Sequence, residues 1–289
     1  MIHRDFHALF FRSVDRIALV AAAFSLIGFV NAQDEPAAPE RIDLSNFPGE
    51  FVDQVVVPIP AEIFAVLDKL DEPEWSKGVE IPENPGDKGE RAILALTFGS
   101  LVGEGFIAVQ AENAEDIEEI GKKVLALSQA LGLADAVQPH SLAIIEASGK
   151  RDWESVRDEL DSTQQTVRDT MDKLRDQELS ELVSLGGWLR GTNVVTAFIR
   201  ESFREDKAEL LNQPGLLIHF REMLGKMKDP SKETSQIRAI STGLARMEAI
   251  ITGDEVISEE DIRELNEISR AMLEEYYFIS EESRKDSGN

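Results

Sequence analysis

The sequence predicts an all-α fold, a multi-helix bundle with two buried apolar central helices wrapped by amphipathic ones. Three observations predict it. Two stretches, Leu182–Ile199 and Arg91–Ala111, are apolar on every side, which places a helix inside a domain rather than on its surface. Much of the rest carries apolar residues at helical spacing between charged faces. After the first thirty or so residues no convincing strand run appears and no repeat of fixed period is found.

The chain begins with what reads as an export leader. Arg4, Arg12 and Arg16 precede an uninterrupted apolar run from Ile17 to Val30, and Val30-Asn31-Ala32 offers a cleavage site after Ala32. The run is short of the ~20 apolar residues that a membrane span needs, so cleavage is expected rather than retention as an anchor. Without cysteine the leader is not that of a lipoprotein. The expected layout is therefore a signal peptide over 1–32, a disordered linker over 33–46, one all-α domain over 47–279 and a charged, disordered tail over 280–289. The expected location is periplasmic or secreted.

Composition narrows the chemistry. The chain has no Cys, so disulfides, thiolate catalysis, zinc ribbons and iron–sulfur clusters are excluded. Its net charge is −25, which repels nucleic acid and anionic lipid headgroups and favours solubility, a cationic partner or divalent ions.

The elements follow in order. Val55-Val56-Val57 extends briefly, but Pro58 and Pro60 bar a central strand, and Pro60 suits the first turn of a helix. Residues 71–89 are a Pro-, Gly- and charge-rich loop from which Trp75 packs back. In Arg91–Ala111, Gly99 and Gly103 lie four apart on one face, where a second backbone can approach. Its length nearly suffices for a membrane span, but Glu104 and its glycines favour a buried helix, so no stable span is expected in the mature chain.

Asn113 caps a helix with Ile117, Ile120, Val124, Leu127 and Leu131 on one stripe and Gly132 as its stop. Pro139 is placed in the first turn of a short helix closed by Gly149. Asp152 caps a helix whose seam runs through Trp153, Val156, Leu160, Thr163, Val167, Met171 and Leu174. That seam packs on this domain or receives a partner's helix. Asp176 is the one cap before the central stretch, leaving one kinked helix or two. Gln213-Pro214 and Ser231 open the next helices, and Ser258-Glu259-Glu260-Asp261 is a capping box for the last.

Chemistry concentrates in the charges within the two apolar helices. Glu104 shares a face with Thr97, Ser100 and Ala108; Arg190 shares one with Gly186, Gly187 and Asn193. Lone buried charges cost several kcal/mol, so the two either pair to fix the register of the helices or line a polar pocket. The pocket reading groups Glu104, Arg190, Asn193 and Trp188 as ligand-binding residues, Arg190 taking an anionic group. Gly186-Gly187 favours close packing over an opened, anion-binding backbone, since no phosphate fingerprint is present.

His219 and Glu222 lie three apart on one helix but lack the Glu-x-x-His partners of a carboxylate metal site, so no metal and no cofactor is expected. No G-x-S-x-G, S-x-x-K or H-E-x-x-H motif occurs, no catalytic residue is assigned, and Ser141 beside His140 is too local for a triad. The functional expectation is an exported, non-catalytic helical binding or scaffold protein of the cell envelope, with an unspecified protein or small-molecule partner and no nucleic acid. A binder of an anionic small molecule between the central helices is the alternative. An acid–base enzyme using Glu104 as a buried carboxylate is the weaker one.

Overall fold

The computed structural model describes residues 50–52, 55–57, 60–70, 73–83, 90–227, 233–253 and 256–279. The leader, linker and tail expectations lie outside them. The described residues form ten α-helices and one small antiparallel ribbon, all within the compact unit Pro39–Asn289.

The ribbon pairs β1 (Glu50–Val52) with β2 (Val55–Val57), Phe51 opposite Val56. Val55–Val57 thus extends briefly, as its residues suggest, in a two-stranded ribbon that has no central strand. α1 (Pro60–Leu67) follows, then a 3₁₀ turn at Trp75–Gly78 whose Trp75 is buried edge-on to Phe198, centroids 5.1 Å apart.

The centre is α2 (Arg91–Gln110) against α6 (Gln177–Glu201). Their glycines set the separation. A Cβ on Gly99 would lie 1.9 Å from the Val183 carbonyl oxygen, and one on Gly186 2.1 Å from that of Leu96. Ser100 Oγ donates to the Gly186 carbonyl at 3.0 Å across the same seam. The glycine string thus serves close packing, as expected. α2 is the one helix among the described residues long and apolar enough to cross a membrane, and most of that stretch is buried in the bundle.

Two wings extend from this pair. On one side α3 (Ala114–Leu131) packs on α2, α4 (Ala134–Gly149) on α3, and α5 (Trp153–Leu174) on α4. α5 then meets α6 and α2, closing a ring of five helices. On the other side α10 (Glu259–Glu274) packs on α6, α9 (Ser235–Gly253) on α10, and α8 (Pro214–Lys226) on α9. The one-turn α7 (Glu205–Ala208) joins α6 to α8.

The helix ends follow their capping chemistry. Asn113 Oδ1 accepts from the Glu115 and Asp116 amides, Gly132 takes the left-handed conformation at φ 76°, and Ser258 with Asp261 completes a capping box. α5 and α6 are two helices: Arg175 turns the chain at φ 56° and Asp176 caps α6 through the Leu179 amide. One expected start is corrected. α4 begins at Ala134, so Pro139 lies inside it; the fully buried Val137 pins its first turn to the core despite one missing backbone bond. α9 runs Ser235–Gly253, with Thr234 Oγ1 accepting from the Ile237 amide, and the expected start at Ser231 lies outside the described residues.

Candidate functional site

Glu104 on α2 and Arg190 on α6 face each other where the glycines bring the helices together. Arg190 Nε donates to Glu104 Oε2 at 2.5 Å, and Nη2 to Oε1 at 2.9 Å. Both residues are sealed from solvent, at 0% and 1% exposure. The pair is the bidentate geometry that suits a guanidinium to a carboxylate.

Remaining valences are met from outside the two helices. The backbone amide of Glu80 donates to Glu104 Oε1 at 2.6 Å, and the Tyr277 hydroxyl donates to Oε2 at 3.2 Å. Arg190 Nη2 also donates to the Gly78 carbonyl at 2.5 Å, and Nη1 to Asn193 Oδ1 at 3.4 Å. Asn193 Nδ2 donates to Ser269 Oγ at 3.2 Å. Asn266 Nδ2 returns bonds to the Asn193 carbonyl and to Thr196 Oγ1, at 2.9 and 3.0 Å. A continuous polar layer therefore ties the segment at Gly78–Glu80, α2, α6 and α10 together.

Burial pushes the Glu104 carboxyl above the ordinary carboxylate range, and Arg190 and the Glu80 and Tyr277 donors pull it only part of the way back. The Tyr277 hydroxyl is raised too, first by burial and then by the charge of Glu104. Every polar atom of the Glu104 carboxylate has a partner within the fold. No room is left there for an incoming anion, and of the two arrangements open to these side chains the closed pair is the one adopted.

Trp188 does not belong to this layer. Its indole Nε1 donates to Gln213 Oε1 at 3.3 Å, and its ring lies 5.7 Å from that of Phe220. It lines instead a cavity of about 710 Å³ bordered by α2, α3, α4, α5 and α6, by α1, α8 and the α7–α8 connection, and by Met247 and Ile251 of α9 and Leu265 of α10. The walls are largely apolar: Val102 and Phe106 from α2, Ile120 from α3, Val167 from α5, Val195 from α6 and Leu211 near α8 are among them.

Part of the cavity wall lacks side chains. Gly191 and Gly215 stand on its wall, and a Cβ at either would meet nothing within 4 Å. α5, with its narrow seam between charged flanks, cannot fill the gap. The cavity is only partly enclosed and opens to the surface. Its size falls in the ~300–1,000 Å³ range of small-molecule sites, and its walls offer water few partners.

His140 forms a second cluster that local spacing hides. Its Nδ1 meets Glu159 Oε1 at 2.5 Å and its Nε2 meets Thr166 Oγ1 at 2.9 Å, joining α4 to α5. Carboxylate, imidazole and hydroxyl stand in the order of a nucleophilic relay. Thr166, however, lies mid-helix, where neighbouring amides are spent in helical hydrogen bonds and do not form an oxyanion hole. The cluster is a strut between two helices. His219 and Glu222 do not converge: His219 Nε2 lies 3.9 Å from Glu181, while Glu222 is bonded to Lys226 at 2.7 Å. Among the described residues, no group of three or more His, Asp and Glu side chains is placed to hold a metal ion.

No protein-family model, no curated protein and no solved structure matches the chain.

Proposed function

We propose that the protein is a non-catalytic helical binding protein of the cell envelope, and that its ligand is an apolar small molecule lodged in the cavity between α2, α3, α5 and α6. The observation that carries this reading is the partly enclosed, largely apolar space of about 710 Å³ with Trp188 on its wall. A void of that size lined by apolar side chains is stabilised by an apolar occupant and poorly served by water. The leader read over 1–32 supports export. The closed Glu104–Arg190 pair removes the support for an anionic ligand at that place and for Glu104 as an acid–base catalyst. A scaffold role for the α5 seam loses ground as well, because Val156, Val167 and Met171 of that seam are buried within the protein.

The test is titration of the purified mature chain with Nile red, a neutral apolar dye, read by dye emission and by energy transfer from Trp188, with Trp188→Phe as control. One saturable equivalent of dye, with transfer reduced in the control to what Trp75 and Trp153 supply, supports the reading. Absence of saturable binding refutes it.

A further inference from the structure

Resting on the reading of the cavity as a binding site, we infer that its ligand is an uncharged apolar molecule carrying two separated carbonyl oxygens, one accepting a hydrogen bond from the Thr192 hydroxyl on α6 and the other from the Ser141 hydroxyl on α4. The first argument is charge. The chain carries 55 acidic residues, yet none is among the described residues lining the cavity. The one charged residue there, Arg168, is engaged within the fold. An anion or a cation would meet no available counter-charge on this wall, and an unpaired charge is the costliest group to take out of water.

The second argument is where the hydroxyl protons go. A serine or threonine inside a helix can donate to the carbonyl three or four residues back. On the cavity wall Thr163 Oγ1 does so to the Glu159 carbonyl at 2.6 Å, and Ser184 Oγ to that of Ser180 at 3.1 Å. Asn212 and Gln213 are also satisfied locally: Asn212 Nδ2 donates to Glu209 Oε1 at 2.9 Å and Gln213 Nε2 to the Leu210 carbonyl at 3.1 Å. Ser180 and Gln164 are only half-buried and keep contact with water. Thr192 and Ser141 differ from all of these. Both line the cavity, both are more than nine-tenths buried, at 6% and 5% exposure, and neither hydroxyl has a hydrogen-bond partner among the described residues. A buried hydroxyl ordinarily has one. α4 packs on α3 and α5, whereas α6 packs on α2 and α5, so the two hydroxyls stand on separate walls. A carbonyl accepts such a proton without bringing one of its own that needs an acceptor.

The experiment displaces Nile red from the mature protein with three straight chains that differ only in their oxygens: 2,13-tetradecanedione, 2-tetradecanone and tetradecanoate, each below its micelle concentration. Their flexibility lets the oxygens find the spacing between α4 and α6. Without two donors on the wall the second carbonyl weakens binding, because it leaves water unpaired. With them, the dione is expected to displace the dye at roughly 3- to 10-fold lower concentration than the monoketone. Tetradecanoate is expected to be the weakest of the three. Thr192→Val and Ser141→Ala, checked for folding by circular dichroism, are each expected to abolish the advantage of the dione. A dione that binds no tighter than the monoketone overturns the two-acceptor assignment, and tetradecanoate binding tightest overturns the uncharged ligand; both leave the apolar site standing. An advantage that survives both substitutions overturns the two hydroxyls as donors. Saturable dye that none of the three displaces overturns this ligand class alone, and absence of dye binding overturns the site with it. Should either variant fail to fold, the native comparison still decides.

Discussion

Arg190 holds Glu104 by two near-parallel hydrogen bonds, at 2.5 and 2.9 Å, between helices 86 residues apart in sequence and with both side chains closed off from water. A buried ion pair of this kind is costly to break and cheap to replace. Arg190→Met alone strands a carboxylate, and Glu104→Leu alone strands a guanidinium. Each is expected to lower stability by about 3–5 kcal/mol in urea unfolding. The double variant is expected to recover most of the loss, because no charge then remains buried.

The pair also sets a pH dependence. The Glu104 carboxyl lies above its ordinary value in the folded protein, chiefly because burial disfavours its charge. Between the unfolded and folded values the native state therefore holds more protons than the unfolded one. The Glu104 contribution to stability is present below the unfolded value and falls as pH rises through that window. The difference in unfolding free energy between native protein and Glu104→Gln, measured at a series of pH values upward from 4, should drift in that direction. A drift of opposite sign would mean that Arg190 outweighs burial.

Glycines of α6 should divide into two classes. Gly186→Ala places a methyl 2.1 Å from the Leu96 carbonyl oxygen, and backbone must move to admit it. Overpacking typically costs about 1–3 kcal/mol. Gly191→Ala meets nothing, and alanine in a helix interior is favoured over glycine by about 1 kcal/mol. Thermal unfolding should thus move in opposite directions for two substitutions five residues apart.

Ser258→Ala removes a cap whose partner, the Asp261 amide, is exposed, and should cost about 1 kcal/mol without altering ligand binding. It serves as a control that separates loss of stability from loss of the site.

The sequence carried the centre of this fold because it is written in local patterns. All-round apolarity marks α2 and α6, four-residue glycine spacing marks their contact, and Asn113, Gly132 and Ser258 mark helix ends. A charge inside each apolar helix is enough to expect that Glu104 and Arg190 meet. Trp188 and Arg190 do not share a site: residues two apart on a helix point about 200° apart, so Trp188 faces the cavity while Arg190 faces Glu104.

The rest had no local signature. The Glu80 amide, the Gly78 carbonyl and the Tyr277 hydroxyl reach the pair from 24, 112 and 173 residues away. Glu159 and Thr166 reach His140 from 19 and 26. The cavity is harder still to read, since a void is what several segments together fail to fill, and no residue by itself encodes it.

The central claim is that this void is a ligand site, and Gly191 gives the most direct access to it. Gly191→Phe sets a ring into open space on the wall, away from the Glu104–Arg190 layer. Nile red titration and thermal unfolding of this variant beside the native protein are the decisive pair of readings. The expected result is a variant that melts higher and no longer takes up the dye, while the native chain binds one equivalent. Equal dye binding by both proteins would contradict the claim.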